Sequence, residues 1–273
     1  MNLDEYLSLV KNNTHKPIQQ NTVWAAAEDS KLCVVYAEFR NLDIIPWNLY
    51  NLANVYGGTD ASLTILHSGV CRNIIFETIK DWKNVKCIQM TEDQSSIHNY
   101  NLIFTNVNFW KLFEKHEFIL LNQWDSYIFR KIPDKFFNFD YVGAPTGHIY
   151  VQRDNNTWLN LCSDECKCGN CRWKKSTFDY HPSDVVYSMM NGGFSLRKVS
   201  AMIDLCSKKP YPKGQPEDVY FCLSYLYKPS IHEAKEFSVQ GWKYDDGDVP
   251  VGCHKIWENE DKKYILKLFG MEK

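Results

Sequence analysis

Leu32-Cys33-Val34-Val35-Tyr36-Ala37 is a continuous apolar run with no polar alternation. A strand that is apolar on both sides must be covered on both sides, as in a parallel sheet flanked by helices. The residues that follow repeat the theme. Pro46 opens a helical pattern through Leu49, Leu52 and Val55 that stops at Gly57-Gly58. Ser62 to Leu66 predicts a second strand, Val70 to Ile79 a helix, and Val85 to Gln89 a third strand. Tyr100 to His116 reads as one or two helices. Phe118-Ile119-Leu120-Leu121 reads as a fourth strand running into Asn122-Gln123-Trp124-Asp125. Strand–helix units in succession predict a doubly wound α/β sheet, which binds ligands at the carboxyl ends of its strands.

The totals narrow the partners. Thirty-one basic against 33 acidic residues, a net charge of −2, give no electrostatic reason to expect nucleic acid. No apolar run is long enough for a transmembrane segment and none resembles a signal peptide, so a cytoplasmic protein with reduced thiols is expected. Its ten cysteines are then thiols or metal ligands. Residues 1–30 are polar and irregular, an arm or short helix. After Tyr141-Val142-Gly143-Ala144-Pro145 the periodicity breaks for about forty residues, which predicts an insertion.

Candidate chemistry collects at strand ends and glycines. Asp125 follows a buried strand and either binds a divalent cation on a diphosphate or caps a turn. Glu38-Phe39-Arg40 closes the first strand as a ligand contact or an ion-paired loop. Asn191-Gly192-Gly193 leads into Phe194-Ser195-Leu196-Arg197, a pattern for backbone approaching a ligand. Glu217 and Asp218 head an apolar run, where they supply a general base or complement a helix dipole. His254 is a candidate metal ligand and Lys255 a partner for phosphate. Cys162, Cys166, Cys168 and Cys171 either wrap a structural Zn²⁺ or remain thiols.

Taken in order, several segments resemble a small family of GT-A-type glycosyltransferases found in microbes and large DNA viruses. They are Val34 to Arg40, Tyr100-Asn101 with Phe109-Trp110, Ile119 to Ser126, Phe139 to Pro145, the glycine segment, Pro216-Glu217-Asp218, and Gly252-Cys253-His254-Lys255-Ile256-Trp257. The resemblance implies a GT-A-like fold: a Rossmann-type mixed sheet with flanking helices, to which this chain adds the Cys-rich insertion. It implies one such domain, with an arm (1–30), a nucleotide-sugar half (31–145), the insertion (146–188) and an acceptor-binding, catalytic half (189–273). By the same resemblance Asp125 stands for the last carboxylate of the Asp-x-Asp motif and joins His254 on Mn²⁺ or Mg²⁺. Asp218 matches the base of inverting members, Glu217 contacts the acceptor, and Asn191, Gly192 and Gly193 line the floor under the donor sugar. Gln123 replaces the first carboxylate, which puts metal dependence in question.

The expected activity is therefore transfer of a sugar from a nucleotide-sugar donor, UDP by the resemblance, to a glycan or other hydroxyl acceptor. If the chain is viral, the host cytoplasm is the expected site. Two other readings stand beside it. One is a metal-dependent nucleotidyltransferase or phosphohydrolase using Asp125 and His254. The other is a zinc-stapled module that binds protein or nucleic acid through its cysteines.

Overall fold

A computed structural model describes residues 1–90, 96–153, 158–162, 173–174, 178–182, 184–241, 243–244 and 249–271. The chain opens with helix α1 (Leu3–Asn13), started by a capping box between Asn2 and Glu5. The apolar run forms strand β1 (Leu32–Glu38). Helix α2 (Ile45–Tyr56) has Pro46 in its first turn and ends at Gly57. Then come β2 (Ser62–His67), α3 (Arg72–Ile79), β3 (Val85–Gln89), α4 (Ile97–Phe104), α5 (Val107–Lys111) and β4 (Phe118–Asn122). Strands β1 to β4 lie parallel in the order β3-β2-β1-β4.

Both faces of β1 are covered, as its composition demands. Val34 and Tyr36 pack with Ile45, Leu49 and Leu52 of α2. Cys33, Val35 and Ala37 belong to the opposite layer, with Phe104 and Trp110 of α4 and α5. Beyond β4 the chain forms a short strand β5 (Ser126–Ile128) and then β6 (Tyr141–Gln152), β7 (Trp158–Cys162), β8 (Trp173–Lys174) and β9 (Val185–Lys198). These continue the main sheet as β4-β9-β6-β7-β8, with β9 antiparallel to both β4 and β6. The fold is a mixed α/β sheet flanked by helices.

The loss of periodicity after Pro145 is not the end of the sheet. β6 runs on to Gln152 and pairs with β7 and β9. Register shifts between Gly143 and Ile149 break the alternation that sequence patterning relies on. The proposed zinc ligands Cys166, Cys168 and Cys171 lie outside the described residues, as does the side chain of Cys162.

The chain ends in α6 (Val199–Lys208), α7 (Glu217–Cys222), α8 (Ile231–Phe237), β10 (Ser238–Val239), β11 (Gly252–His254), α9 (Ile256–Asn259) and α10 (Lys262–Leu268). β10, β11 and β5 make a second, three-stranded sheet. No helix among the described residues is long and apolar enough to cross a membrane.

The close β6–β9 contact is testable. A Cβ at Gly143 would lie 2.1 Å from the Asn191 carbonyl oxygen, a backbone atom that cannot swing aside. Gly143→Ala is expected to destabilise the chain by about 1–3 kcal/mol, read as a lower urea midpoint at unchanged slope. An unchanged midpoint would mean that the strands separate freely here.

Candidate active site

One cavity of about 300 Å³ opens at the carboxyl ends of β1 and β4, and Glu38, Arg40, Asp125, Asn191, Gly192, Gly193, Glu217, Asp218 and Lys255 all line it. Sheet pairing explains how residues so far apart in sequence meet. β9 lies against β4 with Phe194 opposite Asn122, which sets the glycines beside the end of β4. β11 lies against β5 with His254 opposite Ser126, which brings His254 to Asp125. Helix α2 fixes the intervening turn. Asn48 donates to the Trp124 carbonyl at 3.1 Å, and Asn51 exchanges two 2.9 Å hydrogen bonds with the Ile128 backbone.

The first cluster is Gln123, Asp125 and His254. Asp125 is 3% exposed and His254 2%. Asp125 Oδ1 faces His254 Nε2 at 3.3 Å, yet neither atom has a properly directed hydrogen-bond partner. His254 Nδ1 is 3.0 Å from Gln240 Oε1. With the proton on Nδ1 for that bond, Nε2 presents a lone pair to a carboxylate, an arrangement that calls for a proton or a cation between them. A Cβ at Gly193 would lie 2.3 Å from Gln123 Oε1 and 2.4 Å from His254 Nε2, so the amide oxygen converges on the same place. These three side chains could hold a hard divalent cation. Among the described residues, no group of three or more His, Cys, Asp or Glu side chains forms a site for one. Burial pushes the Asp125 carboxyl up, but the neighbouring His254 and Lys255 outweigh it and hold the group below its ordinary value.

The second cluster lies across the floor. Glu217 Oε1 accepts from Arg197 Nη2 at 3.1 Å, and both side chains are buried. Arg197 also donates to Ser195 Oγ and to the Gly192 carbonyl. A Cβ at Gly192 would lie 2.1 Å from Glu217 Oε1. The two glycines therefore clear space for the site's own side chains, where the sequence pattern suggested room for a ligand. Asp218 is half-buried on the same wall. Burial, and then the neighbouring Glu217 charge, push its carboxyl up to about 6. At the opposite wall Glu38 holds Arg40 through paired bonds of 2.8 and 2.9 Å, the ion-paired loop, and the guanidinium also lies over Trp124.

Residues 84–254 match the model of the family described as protein of unknown function DUF5672. The chain belongs to that family. The matched DUF5672 stretch begins at β3 and ends on His254, so it contains both clusters and leaves out Glu38, Arg40 and Lys255. No curated protein matches the chain. Among solved structures, the galactosyltransferase LgtC in complex with donor and acceptor sugar analogues superposes with a TM-score of 0.51. That match has 10% identity and covers 88% of this chain and 96% of that one. An active-site mutant of LgtC gives 0.47 at 11% identity, over 81% and 86%. At such identity the likeness is one of fold.

Two residues in this DUF5672 chain escaped the sequence reading. Gln240, which orients His254, carries no local signal. Arg197 was masked by its type. In the run Phe194-Ser195-Leu196-Arg197, the odd positions face the layer capped by α4 to α7, so an arginine there has to be buried with a carboxylate. It is 0% exposed and ringed by Phe104, Tyr141 and Phe221 at 4.9–5.5 Å.

A buried pair should be costly to break and cheap to replace. Arg197→Met is expected to cost about 3–5 kcal/mol by leaving Glu217 charged and unpaired, and adding Glu217→Gln should recover most of it. Chemical unfolding of the two single variants and the double variant reads the coupling. Additive costs would show that the pair does not act as a unit.

Proposed function

We propose that this protein is a glycosyltransferase, moving a sugar from a nucleoside-diphosphate donor to a hydroxyl of a glycan or other acceptor. The observation that carries the reading is one cavity with two opposed chemical halves. A carboxylate poised near neutrality faces it from α7, while Gln123 and Asp125, backed by His254, offer cation ligands and Lys255 a positive charge for a diphosphate.

In this reading Asp218 is the general base. It takes the proton of the acceptor hydroxyl as that oxygen attacks the anomeric carbon. The bond from that carbon to the diphosphate breaks on the far side, so the configuration inverts and the nucleoside diphosphate leaves. A group with a pKa near 6 is mostly ionised at neutral pH while still able to hold a proton, which is what base catalysis needs. Asp125, His254 and Gln123 are the residues that would hold Mn²⁺ or Mg²⁺. Such an ion supplies charge neutralisation for the departing diphosphate. Lys255 Nζ lies 3.8 Å from Asp125 Oδ2 and adds a cation at the cavity rim. Arg40 and Trp124 make a flat, cationic wall beside it. The glycine segment lets Glu217 close in on the floor at Gly192 and His254 at Gly193, which fixes their positions for the donor.

The test has two stages. A thermal-shift panel of UDP-, GDP- and CMP-linked sugars, each with and without Mn²⁺, should show stabilisation by one donor class. Asp125→Ala should reduce that stabilisation and abolish its dependence on Mn²⁺. No shift with any nucleotide sugar would overturn the assignment, and a shift indifferent to metal would remove the cation from it.

The second stage concerns the base. With the donor so found, turnover should rise with pH through about 6, because Asp218 must lose its proton before it can accept another. Asp218→Asn should lower kcat by about 10²–10⁴ and erase that limb of the pH profile. An Asn variant that keeps the limb would put the base elsewhere. Product with the donor's own anomeric configuration would rule out a single displacement.

A further inference from the structure

Three buried polar groups gather on the α4 side of the cavity. Glu217 uses Oε1 on Arg197, but its Oε2 is buried without a hydrogen-bond partner. The Tyr100 hydroxyl on α4 is likewise buried and unpaired, and Tyr100 lines the same cavity. Tyr100 and Glu217 both line the cavity, and Arg197 is bonded to Glu217 behind it. Arg197 does not line the cavity; it lies beneath Gly192, where its Nε and Nη2 are committed to Ser195, Gly192 and Glu217. Asn101 Oδ1 accepts from the Glu217 backbone N–H at 3.3 Å, fixing the start of α7 against α4.

An acceptor and a donor left bare and buried on one wall are costly, since buried polar groups are ordinarily satisfied. The group that would satisfy both must donate to a carboxylate oxygen and accept from a phenol. A hydroxyl does both at once, whereas an ammonium only donates and a fully ionised phosphate only accepts. We propose that Tyr100 and Glu217 Oε2 form a subsite that recognises one sugar hydroxyl, with Arg197 as the positioning residue that turns Glu217 so that Oε2 stays free. The pairing resting on Arg197 is rigid because its planar guanidinium is sandwiched among aromatic rings and bonded to the floor on two sides. Lysine would keep the charge and lose that fork.

This inference rests on the glycosyltransferase reading, and the hydroxyl belongs either to the donor sugar or to the acceptor. The experiment separates these sources. Affinity is measured by calorimetry for the nucleotide sugar that stabilises the wild-type chain in the panel above, and for its parent nucleoside diphosphate. If the donor sugar supplies the hydroxyl, Tyr100→Phe weakens the nucleotide sugar about tenfold and leaves the nucleoside diphosphate unchanged. If the acceptor supplies it, both donor affinities hold and the acceptor KM rises by a similar factor.

Arg197→Lys should give part of the same loss while the chain stays folded. The double variant Arg197→Met/Glu217→Gln, judged folded by its far-ultraviolet spectrum, should give all of it. Failure of every nucleotide sugar to bind the wild-type chain would overturn the function and this subsite with it. Wild-type binding and turnover that Tyr100→Phe and the double variant leave intact would overturn the subsite alone.

Discussion

The antiparallel pairing of β9 with β4 is the constraint on which the site depends. β1 to β4 form a parallel sheet whose carboxyl ends all open on one side. An antiparallel neighbour delivers to that edge the residues that precede its own paired segment. Phe194 opposite Asn122 does this, placing Asn191-Gly192-Gly193 just beyond the end of β4. The register between β9 and β6 shifts at the same point, from Gly143 opposite Ser195 to Pro145 opposite Met190. Extra residues of β9 bulge there into the cavity. Gly193 N–H donates to Asn191 Oδ1 at 2.6 Å and Ser195 Oγ to the Gly192 carbonyl at 2.7 Å, so the bulge is held from within.

The bulge also explains why glycine is needed. With side chains at positions 192 and 193, the Glu217 carboxylate and the His254 imidazole would both be displaced. Two separate clusters, one anionic pair with its arginine and one set of metal-competent donors, are thereby packed against opposite sides of a single backbone ribbon. Moving either cluster moves the ribbon, and through it the other. The coupling is steric, and a substitution at Gly192 should be felt at His254 without any contact between them.

The first half of the fold was legible because it is made of uninterrupted apolar runs. Val85 to Gln89 matches β3, and the runs at Leu32, Ser62 and Phe118 begin β1, β2 and β4. Helix α4 starts at Ile97, earlier than Tyr100, because Ser96 caps it, a signal that a hydrophobic pattern misses. The second half was harder to read. β6 and β9 carry register shifts and glycines, which erase a period of two. Nothing local to His254 announces Asp125, since their meeting depends on β11 pairing with β5; only the family resemblance joined the two beforehand. Arg197 was hidden by its type. An arginine in an alternating run looks like the solvent face, and only knowing that both faces are covered makes it a buried charge.

The end of the chain carries a conformational cost that the aromatic packing around it offsets. Lys255 adopts a left-handed conformation, φ 46° and ψ 35°, directly after His254. A non-glycine residue there costs about 1–2 kcal/mol. Its N–H donates to the Asp125 carbonyl at 2.9 Å, so the strained turn is what hooks β11 onto the end of β4. The following residues resist its relaxation. Ile256 is fully buried, and Trp257 packs on Tyr6 of α1 at 4.7 Å and on Trp124 at 5.8 Å. Full burial of a side chain such as Ile256 is worth about 1.5–3 kcal/mol, enough to hold a strained residue in place. The N-terminal helix thus acts at a distance on the site. By pinning Trp257 it keeps Lys255 in its turn, and by that turn keeps His254 Nε2 facing Asp125.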